Sequence, residues 1–395
     1  MRIPLQSLTK PELIALLSPV VGPSKAKYQA KQIYNWVYQR FTDDWDLMTD
    51  LSKVLRQWCK DNLEILRLKE KVSQTALDGT HKFLWQLQDD RTIESVIIPA
   101  ALEDRDAVEA EERLESESSG DARFSGRKTE MTLQERGWKR LTACISSQVG
   151  CAMACKFCLT GIQGLDRHLK VEEIVTQIHE LRRLAPITNI VFMGMGEPLH
   201  NLQNVIKACQ ILLDQDGFNF SKRKVTVSTS GIVPALKELG EKTGVSLAVS
   251  LNATTDEQRS EIMPVNKRWP IAELLKGCRE YPLGTHRRVT FEYVMLAGFN
   301  DSDEDLERLI QIARTVRCKI NLIPFNAHSG ADYKRPSDAR VLEFQRKLLN
   351  AHLTATVRIS RGRDISAACG QLRSLFGTAR GTEKHRDYAE KSVSA

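Results

Sequence analysis

The rhythm of apolar and polar positions changes three times along the chain. Over the first 60 residues it is helical: in KYQAKQIYNWVYQRF, Ile33, Trp36, Val37 and Tyr38 recur at helical spacing with lysines and glutamines between them. That stripe predicts a small bundle with a buried aromatic core, its lysine-rich face available to phosphates. Residues 82–99 alternate instead. KFLWQL and TIESVIIP flank Asp89-Asp90, which predicts a β-hairpin. From about 101 to 135 no core-forming period survives; large apolar residues are few and Glu, Ser and Gly abound. That stretch reads as a disordered or loosely helical surface insertion.

From about 141 to 376 short β-rich runs alternate with helical ones. ITNIVFMGMG, RKVTVSTSG, VSLAVSLNA, RVTFEYVML, CKINLIPFN and a late TATVRIS are separated by stretches such as VEEIVTQIHELRRL and LQNVIKACQILL. Alternation of this kind predicts a parallel sheet with crossover helices. The six runs fall short of the eight strands of a closed barrel. The expected fold class is therefore α/β, a partial, open parallel β/α barrel. The expected divisions are a helical domain over 1–65, a linking hairpin over 66–100, an acidic insertion over 101–136, a catalytic domain over 137–376 and a disordered tail over 377–395.

Ligands of parallel α/β sheets bind beyond the carboxyl ends of the strands. Gly194, Gly196 and Glu197 (in GMGEP), Ser228 (in VTVSTSG), Ser250 and Asn252 (in VSLNA) and Asn326 (after LIPF) stand at those ends. Each alone is an ordinary turn or cap residue. Together, facing one mouth, they are candidate ligand contacts, and the glycines would let backbone approach a ligand closely.

Composition changes the picture in two ways. With 42% hydrophobic and 27% charged residues in 395, the chain reads as a soluble globular protein. It shows no apolar run long enough for a membrane span and no secretory signal in MRIPLQSLTKPELIALL, so a cytoplasmic protein is expected. The net charge of +7 understates its basicity, because residues 102–119 (LEDRDAVEAEERLESESS) are strongly acidic. Basic clusters at Lys25–Lys31, Lys222–Lys224, Arg287–Arg288 and Arg358–Arg363 suit a polyanion such as nucleic acid, although such runs are often only solvated faces.

Nine cysteines in an unsecreted chain point to metal or redox chemistry. Cys151, Cys155 and Cys158 form C-x3-C-x2-C within GCAMACKFCLTG. Three thiolates can hold three irons of a [4Fe–4S] cluster, whose usual complement is four cysteines. A zinc site would want a second Cys/His pair at short range, and none follows. The spacing resembles that of radical S-adenosylmethionine (SAM) enzymes, in which SAM fills the open iron position and is cleaved to a 5′-deoxyadenosyl radical. Cys59, Cys209, Cys278 and Cys318 read as small buried hydrophobes. Cys144, in TACISSQVGC, and Cys369, in SRGRDISAACGQLRS, stand apart from both groups. The arginines near Cys369 predict a lowered thiol pKa and a nucleophile.

CISSQVGCAMACKFC, GMGEPLHN, VSTSG, FEYVMLAGFND, NLIPFN and RGRDISAACGQL together resemble the bacterial radical SAM RNA adenine C2-methyltransferases, the dual-specificity RlmN type that acts on 23S rRNA and tRNA. The resemblance runs from the N-terminal helical region to about residue 376. It implies a barrel of the radical SAM type, a [4Fe–4S] cluster on Cys151, Cys155 and Cys158, and SAM contacts from Gly196, Glu197, Ser228 and Ser250, with Leu251, Asn252 and Asn326. It implies that Cys369 becomes an S-methylcysteine intermediate, that Cys144 resolves the RNA adduct through a transient disulfide with Cys369, and that Glu94 accepts the C2 proton. By the residues alone, Glu94 is a polar position on an alternating strand. The implied targets are adenine 2503 of 23S rRNA and adenine 37 of tRNAs, with two SAM consumed, a flavodoxin- or ferredoxin-type electron donor, and a monomeric enzyme. Two departures leave alternatives open. The segment between Ile98 and Leu141 is longer than the family pattern needs, and CLTGIQG is less than a full match. The sister enzymes that methylate C8 of the same adenine share all five cysteines. A non-methylating iron–sulfur RNA-binding protein is the other alternative, which the two extra thiols oppose.

Overall fold

The computed structural model describes residues 2–100, 140–328, 330–358 and 361–372. The expected acidic insertion and tail lie outside the described residues. Helices Lys10–Val21, Pro23–Tyr38 and Lys53–Asn62 form the N-terminal bundle, closed by the parallel pair β1 (Ile3–Pro4) and β2 (Leu63–Glu64). The first helix begins in a capping box of Thr9 and Glu12, with Pro11 in the first turn, where its missing N–H costs nothing. The buried face of the second helix is Ile33, Tyr34, Val37 and Tyr38. Trp36 departs from the expected stripe: it is half-buried, donates from Nε1 to Asp50 Oδ1 at 2.5 Å, and carries the Arg40 guanidinium 4.0 Å above its ring. Tyr34 takes its place, edge-on to Tyr38 at 4.9 Å.

The predicted hairpin is β4 (His81–Gln86) and β5 (Thr92–Pro99), flanked by β3 (Lys69–Thr75). It joins the main sheet, because β5 pairs antiparallel with β6 (Leu141–Cys144), placing Val96 opposite Cys144. The parallel part then runs β6, β9 (Asn189–Phe192), β10 (Val225–Thr229), β11 (Ser246–Ser250), β12 (Val289–Met295), β13 (Cys318–Pro324) and β14 (Ala355–Val357). That is seven parallel strands where the pattern predicted six. The seventh is β6, whose LTAC carries none of the β-branched aliphatic residues that mark the other strands. β3 and β14 are the two edges of one ten-stranded open sheet. A small hairpin, β7 (Gln148–Gly150) with β8 (Leu165–His168), brackets the cysteine triplet. A contiguous apolar core from Leu5 to Leu372 joins bundle and sheet.

Two of the basic clusters do not reach the mouth. Lys222–Lys224 precede β10 and Arg287–Arg288 precede β12, at the amino ends of the strands. Arg287 there donates to Gly244 O (2.5 Å) and Ser246 Oγ (3.1 Å), fastening one strand start to the next. Among the described residues no helix is long and apolar enough to cross a membrane.

Candidate active site

The carboxyl ends of β9 to β13 open into a cleft of about 890 Å3, counted to its open mouth. Cys151, Cys155 and Cys158 line one wall. Their loop is tied at three points: Cys151 N donates to Gly164 O (2.9 Å), Lys156 N to Ile262 O (3.0 Å) and Leu159 N to Gly370 O (2.8 Å). Among the described residues no three His, Cys, Asp or Glu groups converge on a single ion. Three thiols lining one cleft, with no fourth Cys or His beside them in the loop, suit three corners of a multi-iron cluster, one thiolate per iron. Burial pushes the Cys151 thiol up to about 12 and raises those of Cys155 and Cys158 as well. Metal binding must therefore displace their protons.

Of the predicted ligand contacts, Gly196, Glu197, Ser228, Ser250 and Asn326 line the cleft. Glu197 is buried and already organises its neighbours, accepting from Leu199 N (3.0 Å), Thr229 Oγ1 (2.8 Å) and Ser230 N (2.7 Å). Ser228 Oγ donates to Glu292 Oε2 at 2.8 Å. Ser230 Oγ and Asn326 Oδ1 are buried in the wall without a hydrogen-bond partner. Orphaned polar atoms of this kind are costly. A polar ligand such as SAM would supply their partners, so the wall fits that group.

The Leu251 side chain is fully buried in the apolar core and does not line the cleft, because the chain has already left the strand end. Asn252 is consumed internally, accepting from Val294 N at 2.8 Å through Oδ1 while Nδ2 lies 3.3 Å from Met263 Sδ. Gly194 and Gly196, which both line the cleft, also allow close contact with protein. A Cβ on Gly194 would meet Ile145 O at 2.7 Å, and one on Gly196 (φ +104°) would meet Gln148 Cβ at 2.5 Å.

Cys369 lines the cleft and also a smaller side cavity, which it shares with Cys144, Ile98 and Arg358. Cys144 reaches that cavity from the end of β6, where burial pushes its thiol up to about 12. The arginine that reaches Cys369 is Arg358, which hydrogen-bonds the thiol and lies 3.8 Å from Glu292 Oε1. Here the expected thiol activation is overruled: burial raises the Cys369 pKa and the Arg358 charge only opposes it. Glu94 lies on β5, level with the end of β6. Its carbonyl accepts from Ser146 Oγ (2.6 Å) and its carboxylate lies 3.4 Å from Lys82 Nζ. It shares a strand face with Val96 and Ile98, and lines neither cavity.

Residues the sequence reading missed are Thr229, Ser230, Glu292, Arg358 and Arg259. Glu292 had a signal, a carboxylate inside the apolar strand VTFEYVM. Arg358 had none beyond its membership of a basic cluster.

Comparison with known proteins agrees with this geometry. Residues 145–310 match the Radical SAM superfamily model, and residues 5–65 match the Ribosomal RNA large subunit methyltransferase N-terminal domain. The chain is 45% identical, over 94% of its length and 90% of the relative's, to the dual-specificity RNA methyltransferase RlmN of Syntrophotalea carbinolica. It is 46% identical to the protein of the same name in Geobacter sulfurreducens, over 90% of this chain and 88% of that one. Among solved structures it resembles a radical SAM methyltransferase from Sphaerobacter thermophilus, with TM-score 0.78 and 40% identity over 94% of this chain and 99% of that one.

Proposed function

The chain belongs to the dual-specificity RNA methyltransferase family RlmN, within the radical SAM superfamily, and on that premise we propose that it methylates C2 of adenine 2503 in 23S rRNA and of adenine 37 in tRNAs by a ping-pong route through Cys369. One observation carries the reading: Cys369 stands on the wall between the cleft with the three clustered cysteines and the side cavity with Cys144. A carbon carrier must face the radical source on one side and its resolving thiol on the other.

C2 of adenine is electron-poor and does not attack a methyl sulfonium, so the protein must carry the carbon. The Cys369 sulfur attacks the methyl group of one SAM; the S–CH3 bond forms as the sulfonium–CH3 bond breaks, and S-adenosylhomocysteine leaves. When bound at Cys151, Cys155 and Cys158, the cluster with a second SAM would supply the radical that takes a hydrogen from that methyl group, allowing it to add to C2. Glu94, which lines neither cavity here, would receive the C2 proton on turning toward the adduct; Lys82 Nζ lies 3.4 Å from its carboxylate. Cys144 then attacks the Cys369 sulfur: the S–S bond forms as the S–CH2 bond breaks. The freed carbon takes the Cys144 thiol proton to become the methyl group, and the one surplus electron returns to the cluster when it is bound. The disulfide is reopened by a reductant, which places the enzyme in a reducing compartment, the cytoplasm, with a flavodoxin- or ferredoxin-type electron donor. The adenine reaches the mouth flipped from its stack, as chemistry on a base atom requires.

Mass spectrometry of purified protein should find S-methylcysteine at Cys369. Cys144→Ala should accumulate a covalent protein–RNA adduct. Free product at the native rate from that variant would refute the resolving role. Chromatography of digested RNA against authentic isomers should give 2-methyladenosine; 8-methyladenosine would transfer the chain to the sister chemistry.

A further inference from the structure

Arg259 is completely buried and is the largest fully buried side chain among the described residues. It lies on helix Asp256–Ile262, and its guanidinium donates to four oxygens: Leu251 O (3.0 Å), Asn266 Oδ1 (2.9 Å), Ser230 O (2.6 Å) and Ser250 O (3.0 Å). All four are neutral. Acids are reached only through an intermediary: Asn266 Nδ2 donates to Asp256 Oδ1 at 2.9 Å, and Ser230 N donates to Glu197 Oε2 at 2.7 Å. Burial lowers the Arg259 pKa to about 10, so the group is still charged at neutral pH. A buried charge without a partner is strongly unfavourable and calls for an explanation.

One explanation is mechanical. Arg259 fastens the ends of β10 and β11 to the helix, and hydrogen bonds alone would account for that. They do not account for the charge. Its placement does. Ser230 and Ser250, whose carbonyls hold the guanidinium, line the cleft, as does Met263, whose N donates to Arg259 O at 2.7 Å. Ile262 O, on the same helix, accepts from Lys156 N inside the cysteine loop. The guanidinium therefore sits one peptide behind the wall, on the helix that is hydrogen-bonded to the cysteine loop.

We propose that Arg259 is the buried counter-charge of the anionic iron–sulfur cluster that Cys151, Cys155 and Cys158 would hold, stabilising the reduced cluster, which carries one more negative charge. Arg259 is a positioning and tuning residue that touches neither substrate nor reacting atoms. The inference rests on the cluster reading of the three cysteines. It favours the cluster over the SAM carboxylate because the helix bearing Arg259 is bonded directly to the cysteine loop.

The test is an anaerobic redox titration of the full-length protein followed by electron paramagnetic resonance, with iron and sulfide counted in each sample. A native protein without a cluster signal would fail the cluster reading itself. With that signal present, Arg259→Gln should be harder to reduce by at least about tenfold, a fall of about 59 mV for a one-electron couple, while Arg259→Lys stays close to native. Two fully loaded variants at the native potential, or two that fall equally, would overturn the proposal, as would weaker SAM binding in Arg259→Gln at an unchanged potential. Should neither variant fold, Asp256→Asn removes the negative charge behind Asn266 and should make the cluster easier to reduce. An unmoved potential there overturns the proposal equally.

Discussion

At Cys369, burial holds the thiol protonated and Arg358 draws it toward the thiolate. Glu292, 3.8 Å from Arg358 and bonded to Ser228, fixes the guanidinium where it acts on the sulfur. Arg358→Gln should therefore lower S-methylation of Cys369 by roughly ten- to a hundredfold, the worth of one charge-assisted hydrogen bond. Arg358→Lys should recover part of the loss; intact-mass measurement of the methylated fraction with time reads both. Gly196 makes a different demand. A Cβ there would lie 2.5 Å from Gln148 Cβ and 2.8 Å from Gln148 N at φ +104°. Gly196→Ala should destabilise the fold by about 2–4 kcal/mol in urea denaturation. The five important cysteines were legible because sulfur chemistry needs particular spacings or an unusual setting. Arg358 and Arg259 were not, since a basic residue in sequence looks alike whether it meets water or a buried thiol.

Helix Val171–Leu184 joins the bundle to the sheet, and His179 is at the join. Its Nε2–H donates to Val37 O at 3.1 Å, while its buried Nδ1 has no partner. A second proton would have no acceptor, and burial lowers the His179 pKa to about 4, with Arg183 and Arg67 adding to the effect. The unfolded chain binds that proton near pH 6.5, the folded one only near 4. The unfolded state thus gains protons first as pH falls, and stability is lost between about 6.5 and 4, by about 3 kcal/mol at 1.36 kcal/mol per pH unit. Urea midpoints at pH 7 and pH 5 should show the loss. His179→Gln, which keeps a donor for Val37 O, should flatten it. The same element scale shows what a pattern can reveal. β9 to β13 stood out because each carries a β-branched apolar run between helical stretches. β6, whose LTAC holds no valine or isoleucine, did not, and Asn252 shows that strand-end polarity looks the same in sequence whether a side chain meets a ligand or a neighbouring strand.

The whole sheet has a chemical end and a structural end. Every cleft-lining residue comes from the carboxyl ends of the parallel strands or the loops beyond them, whereas Lys222–Lys224 and Arg287–Arg288 sit at the amino ends. Lys222→Glu should therefore leave the KM for RNA within about twofold of native, the range of a solvated surface charge. Arg361→Glu, beside the Cys144 cavity, should raise that KM severalfold; steady-state methylation of an RNA hairpin separates the two. Net charge and basic clusters located a polyanion correctly in kind but could not say which end it meets, because strand polarity is a property of the assembled sheet. One further consequence follows from how β5 meets β6. Pro99 pairs with Leu141, and Ala100 N donates to Arg140 O at 3.0 Å, so the chain leaves and re-enters the fold one hydrogen bond apart at the structural end. Residues 101–139, the acidic run among them, join the described fold at this junction. That junction is a ready-made socket: a short turn, a tag or a whole carrier module could be plugged in there, and the chemistry at the other end would proceed undisturbed.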